Sequence, residues 1–162
     1  MENRKESFEI IDYSENISHY VKTLNYEWLE KYFHIEEGDV ISLSNPKREI
    51  IDKGGYIFFV KNNTEIIGTA SLLKKTDSIF ELGKMAITEK EQGKGIGKKL
   101  LKHCLDFAQK QSISTIILYS NTQLQSAIYL YKELGFEEIP LEKGLYERAN
   151  IKMQLNLVHY NS

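Results

Sequence analysis

Between residues 92 and 99 the chain reads Gln92-Gly93-Lys94-Gly95-Ile96-Gly97-Lys98-Lys99, with glycine at three alternate positions. A strand-like apolar run, 80–87, precedes it. Downstream, Ile96, Leu100, Leu101, Cys104, Phe107 and Ala108 recur on one stripe of an amphipathic helix. Strand, glycine loop and helix in that order turn the backbone tightly and leave N–H groups unpaired at a helix N-terminus. There the partial positive charge suits a pyrophosphate, and Lys94, Lys98 and Lys99 add to it.

The rest of the chain supplies a sheet for this unit. Residues 8–11 predict a short strand. Ile17, Tyr20, Val21, Leu24 and Trp28, at spacings of three and four, predict a helix over 15–32. The pattern breaks at 36–39, and Pro46 opens a further short helical stretch that stops before Gly54-Gly55, so a loop or short-helix region is expected here. Residues 56–61 and 65–73 about Asn62-Asn63 predict a hairpin, and a second turn at 76–78 leads into the strand 80–87. A β-branched run, 113–119, reads as a buried strand. It is followed by a helix carrying Leu124, Ala127, Ile128, Tyr131 and Leu134, stopped by Gly135. Residues 136–139 and 149–158 predict two closing strands. This is an α+β chain, a mixed sheet with helices packed on it, and the whole of 1–162 is expected to be one domain.

Composition narrows the function classes. With 21 Lys+Arg against 23 Asp+Glu there is no global field for nucleic acid or anionic lipid, so neither is an expected partner. The first ten residues hold no run of signal-peptide length, and no apolar stretch approaches the ~20 residues of a membrane span. The one cysteine, Cys104, excludes an internal disulfide framework and any CxxC motif, so a reducing compartment, the cytoplasm, is expected. His19, His34, His103 and His159 show no ligand spacing, so no metal site is expected.

Three phosphate motifs compete for the glycine stretch. A Walker loop needs Lys-Ser/Thr after its last glycine, whereas Gly97 is followed by Lys98-Lys99. A dinucleotide fingerprint needs GxGxxG in the first strand–helix unit, whereas several elements precede this one. The third, Gln/Arg-x-x-Gly-x-Gly/Ala, is met by Gln92, Gly95 and Gly97. With the strand Glu81-Leu82-Gly83-Lys84-Met85-Ala86-Ile87 before it, and Asn121 and Ala127-Ile128-Tyr129-Leu130-Tyr131-Lys132-Glu133-Leu134-Gly135-Phe136 after it, the chain resembles the GNAT superfamily of acyl-CoA-dependent N-acyltransferases. The match is strongest over 56–136.

That resemblance implies a three-layer α/β arrangement: a seven-stranded, mostly antiparallel sheet whose two central parallel strands splay apart, flanked by helices. It also implies acetyl-CoA as co-substrate and transfer of the acetyl group to a primary amine in a ternary complex. The backbone of Met85, Ala86 and Ile87 would hold the pantetheine and polarise the thioester carbonyl. Gln92, Gly93, Lys94, Gly95, Ile96, Gly97 and Lys98 would hold the pyrophosphate, with Asn121 and Tyr131 beside the cofactor. Dimers are common in the resembled family, so a homodimer is an open expectation. The rival class is a catalytically silent CoA-binding sensor or assembly module.

The resemblance places the proton donor for the departing thiolate at Tyr131. A phenol near 10 facing a thiol near 8.5 falls short by roughly 2 kcal/mol. Tyr129 faces the other side of its helix. Glu81 occupies the position of the catalytic glutamate in the histone acetyltransferase branch. It reads as a base or amine-binding carboxylate, or equally as an ion-pair partner, for instance of Lys84. Gly83 either leaves room for the acceptor or marks a bulge. The acceptor is expected to be chosen by residues 24–51 and the turn near Thr76. Glu27, Glu30, Glu36, Glu37 and Asp39 there either favour a cationic amine or, more commonly for such residues, form a solvated acidic face. Cys104 reads as a small buried side chain.

Overall fold

The computed structural model describes residues 7–144 and 147–161. Residues 1–6, part of the stretch read for a leader, lie outside the described residues. Seven strands, β1 (Phe8–Asp12), β2 (Tyr56–Asn62), β3 (Glu65–Lys74), β4 (Ile79–Ile87), β5 (Thr115–Ser120), β6 (Glu137–Ile139) and β7 (Ile151–Asn156), form one sheet in the order β1-β2-β3-β4-β5-β7-β6. Every neighbouring pair is antiparallel except β4 and β5. The helices are α1 (Tyr20–Tyr32), α2 (Glu37–Ser44), α3 (Ile96–Lys110) and α4 (Gln125–Glu133).

Two cores form because strand side chains alternate between faces. On one face α3 lays Leu100, Leu101, Cys104, Leu105 and Ala108 against Phe58, Leu72, Phe80, Leu82 and Met153. On the other, α1 and α2 set Val21, Leu24, Leu29 and Leu43 against Ile57, Phe59 and Ala86. No helix among the described residues is long and apolar enough to cross a membrane.

The front of the chain departs from its periodicity. Residues 15–17 form an isolated 3-10 turn, and the α-helix begins only at Tyr20. The expected break at 36–39 is instead the start of α2. Its carboxylates make the helix: Glu36 and Asp39 form a capping box, with the Glu36 N–H donating to Asp39 Oδ2 at 2.9 Å. The short helical stretch expected after Pro46 is present, as a single π-type turn at Lys47–Ile51.

The pairing of β4 positions the site. Its parallel register with β5 runs from Ile79↔Thr115 to Leu82↔Leu118 and then ends, so the two strands part from Gly83 onward. On its other side β4 carries a bulge. Gly83 pairs with Ser71 and Ala86 with Thr69, so Lys84 and Met85 together oppose Ala70. Lys84 takes the left-handed φ of +51° at this kink.

Candidate active site

Beyond Leu82 the β5-facing edge of β4 has no strand partner, so its backbone polar groups line an opening instead of a ladder. The N-terminal turns of α3 and α4 flank it, and α1 and α2 close its far end. The result is a groove of about 690 Å³.

One wall is the glycine loop. Gly93 and Gly95 have φ of +81° and +77°, values that other residues reach only with strain. Gly95 is the N-cap of α3 and supplies no side chain, and the first intrahelical bond of that helix runs from Lys99 N to Gly95 O. The N–H groups at the start of α3 therefore face outward beside the positive end of the helix, an anion site by construction. Gly97 faces β4, where a Cβ would make ordinary contacts of 3.7 Å to Met85 Cε and 3.9 Å to Ile87 Cγ1.

Most of the residues expected to meet the cofactor line this groove: Met85, Ala86, Ile87, Gln92, Gly93, Gly95, Ile96, Gly97, Lys98, Asn121 and Tyr131. Lys94 does not, because its ammonium turns back to Glu91 at 2.9 Å. Lys98 is paired with Glu133 at 2.7 Å. Gln92 donates from Nε2 to Ile87 O at 3.0 Å, closing the end of β4. Asn121 is also committed within the chain, donating to Arg148 O and accepting from Gln123 N.

Tyr131, half-buried, lies in the groove wall with its ring edge-on to Phe136 at 5.8 Å. Its hydroxyl has no hydrogen-bond partner among the described residues, and burial pushes the phenol up to about 12. Against a thiol near 8.5 the uphill gap becomes about 5 kcal/mol, larger than the value for a free phenol. The group therefore stays protonated and is an O–H donor throughout the neutral range.

Glu81 is buried on the α1–α2 face of β4. Its Oε1 meets Lys75 Nζ at 3.1 Å, so Lys75, rather than Lys84, is its partner within ion-pair reach. A Cβ on Gly83 would stand 3.4 Å from Glu81 Oε2, so that oxygen leans toward the groove-lining glycine. The bulge begins one residue later, at Lys84.

Several groove residues carry no local sequence signal. Asn25, almost wholly buried in α1, donates to Val21 O and to Lys84 O and accepts from Trp28 Nε1, so one amide ties the bulge to α1. Arg148, in the segment before β7, makes a two-pronged ion pair with Asp39 of α2 and approaches Glu36 at 3.6 Å. Glu36 sits above the usual carboxylate range, chiefly through a hydrogen bond to Glu147. Three members of the acidic run are thus spent internally, and Glu30 and Glu37 are exposed. Glu27 accepts from the Thr88 hydroxyl and the Glu89 N–H, while Glu36 and Asp39 cap α2 and hold Arg148.

A model of the acetyltransferase (GNAT) family matches residues 15–136. N-acetyltransferase 8 of Rattus norvegicus is 24% identical over 116 residues, covering 68% of this chain and 50% of the relative. The chain thus spans about half the length of that curated relative. A GNAT-family acetyltransferase from Staphylococcus aureus superposes with a TM-score of 0.83 at 25% identity, covering 93% of this chain and 99% of the other. The PaiA N-acetyltransferase of Thermoplasma acidophilum, solved in complex with coenzyme A, shares the fold at a TM-score of 0.72 and 20% identity, covering 93% and 99%.

Proposed function

This chain belongs to the GNAT family of acetyltransferases, and from that premise we propose that it transfers an acetyl group from acetyl-CoA to a primary amine of a small molecule or peptide, directly, in a ternary complex. The observation that carries the reading is the groove. An unpaired strand edge, a glycine-capped helix N-terminus and a half-buried phenol line one opening, which suits the pantetheine, pyrophosphate and thioester of one cofactor. The coenzyme A complex of the Thermoplasma relative supports the choice of donor.

In the proposed reaction the amine nitrogen attacks the thioester carbon from the α1–α2 side. Backbone N–H groups of β4 beyond Leu82 steady the developing oxyanion in a site sheltered from water. The carbon–sulfur bond then breaks. The sulfur receives the Tyr131 hydroxyl proton, the proton lost by nitrogen leaves through Glu81 or water, and the phenol is reprotonated from solvent. The products are the N-acetyl amine and free CoA thiol, so atoms and protons balance. At pKa about 12 the phenol acts chiefly as a strong hydrogen-bond donor to the departing sulfur, with transfer completed late. Glu81 and Tyr131 in the same groove speak for an enzyme over a silent CoA-binding module.

The test is amine-dependent release of thiol from acetyl-CoA near pH 8 across amino acids, polyamines, aminoglycosides and peptides, beside calorimetric binding of CoA. Release with at least one amine establishes the transferase. A folded protein that neither binds CoA nor releases thiol overturns the reading. A sedimentation mass equal to one chain of 18.8 kDa would dispose of a homodimer. The cytoplasm is the compartment this reading favours.

A further inference from the structure

At the acceptor end of the groove one charged side chain has no ion-pair partner among the described residues. Asp39 is paired with Arg148, Glu81 with Lys75, Glu91 with Lys94 and Lys98 with Glu133. Among the described residues lining the groove, Lys84 is the one charged side chain with no opposite charge within ion-pair reach. It also lines the adjoining cavity beneath α2, which shares Asp39, Lys84 and Arg148 with the groove.

The backbone directs it there. At the bulge Met85 turns toward α3, meeting the space over Gly97, while Lys84 joins Glu81 on the α1–α2 face. A φ of +51° is a conformation that glycine occupies freely and a side chain only with strain. The chain nevertheless carries a lysine at this point, pinned through its carbonyl by Asn25. Gly83 puts no side chain between Glu81 and Lys84, so one small molecule can touch both.

Resting on the acetyltransferase reading above, we propose that the acceptor is an amine bearing a carboxylate close by, as a free α-amino acid does, and that Lys84 is the group that binds that carboxylate while the amine faces Glu81. Burial lowers the pKa of the Lys84 ammonium, and Glu81 and Asp39 oppose that pull. A bound carboxylate would supply the counter-charge that burial leaves missing. One ammonium matches a monoanion, whereas a phosphate dianion calls for several cations or a guanidinium fork. A polycation is disfavoured because Glu27, Glu36 and Asp39 are already engaged.

The experiment compares kcat/KM for amino acids with their carboxylate-free counterparts: leucine with isoamylamine and leucinamide, phenylalanine with phenethylamine. O-phosphoethanolamine is included as the phosphate arm, and wild type is set beside Lys84→Met and Lys84→Arg. A charge-assisted hydrogen bond predicts an amino-acid preference of about tenfold to a hundredfold in wild type. That ratio should fall toward one in Lys84→Met, chiefly through KM, and be partly restored by arginine. Equal or better use of isoamylamine, leucinamide or phosphoethanolamine by wild type overturns the inference while leaving the transferase standing. So does an unchanged ratio in Lys84→Met. Trp28, the only tryptophan, lines the same groove and gives a readout independent of turnover. With CoA present, its emission should respond to leucine at concentrations where isoamylamine has no effect, and to neither in Lys84→Met. Equal or absent responses in wild type count against the proposal. Loss of CoA binding and of thiol release with every amine would be the separate failure of the transferase reading.

Discussion

Replacing Tyr131 by phenylalanine separates the chemical role of the hydroxyl from the packing role of the ring. The ring contact with Phe136 survives the change, and the hydroxyl has no partner among the described residues. Neutral-pH stability should therefore stay within about 1 kcal/mol of wild type, because only a hydroxyl with no partner among the described residues is lost. Turnover should fall about a hundredfold, the low end for a lost proton donor, since a phenol at about 12 is a weak acid toward thiolate. CoA affinity by calorimetry should hold. Because the phenol stays protonated up to about 12, the pH–rate profiles of wild type and variant should share one shape between pH 7 and 10. Alkaline unfolding gives the opposite contrast. A folded pKa raised from about 10 to about 12 contributes stability that is complete below pH 10 and is lost as pH rises through 12. Wild type should thus lose about 3 kcal/mol across that window that Tyr131→Phe does not. Urea titrations at pH 8, 10.5 and 11.5, beside stopped-time thiol assays, measure both effects. A kcat within threefold of wild type, or a loss explained wholly by weaker CoA binding, refutes the role assigned to the hydroxyl.

Asp39→Ala leaves Arg148 only the longer pair with Glu36 at 3.6 Å and removes half of the α2 capping box, so it should cost about 3 kcal/mol in urea unfolding. The double variant with Arg148→Met should cost at least ~1 kcal/mol less than the sum of the singles, and strict additivity would disprove the coupling. Gly95→Ala forces a side chain into a φ of +77°, a cost of about 1–2 kcal/mol that should appear as roughly tenfold weaker CoA binding by calorimetry; unchanged binding would deny the loop its role. Cys104 is fully buried and its thiol is pushed up to about 12. Ellman's reagent should leave the native protein uncoloured and report one thiol after guanidinium; prompt native labelling would contradict the packing of α3.

The strand, glycine loop and helix of residues 80–110 were legible because each is a local matter. A period of two, three glycines and a period of 3.6 need no distant partner to be recognised. The same holds for β2–β3 about Asn63 and for the exposed Tyr129 opposite Tyr131. Charge pairing was not legible, because it depends on which segments meet. Arg148 finds Asp39 across 109 positions, and Lys75, not Lys84, reaches Glu81 once β3 and β4 pair. Periodicity missed α2 because its start is secured by a reciprocal side-chain cap rather than by an apolar stripe. The bulge that turns Lys84 into the acceptor end exists only where two strands of unequal count are laid side by side, with Asn25 of a third element holding it. Local sequence thus sets the glycine loop and the strand before it, while which charge beside them has no ion-pair partner among the described residues is a property of long-range contact alone.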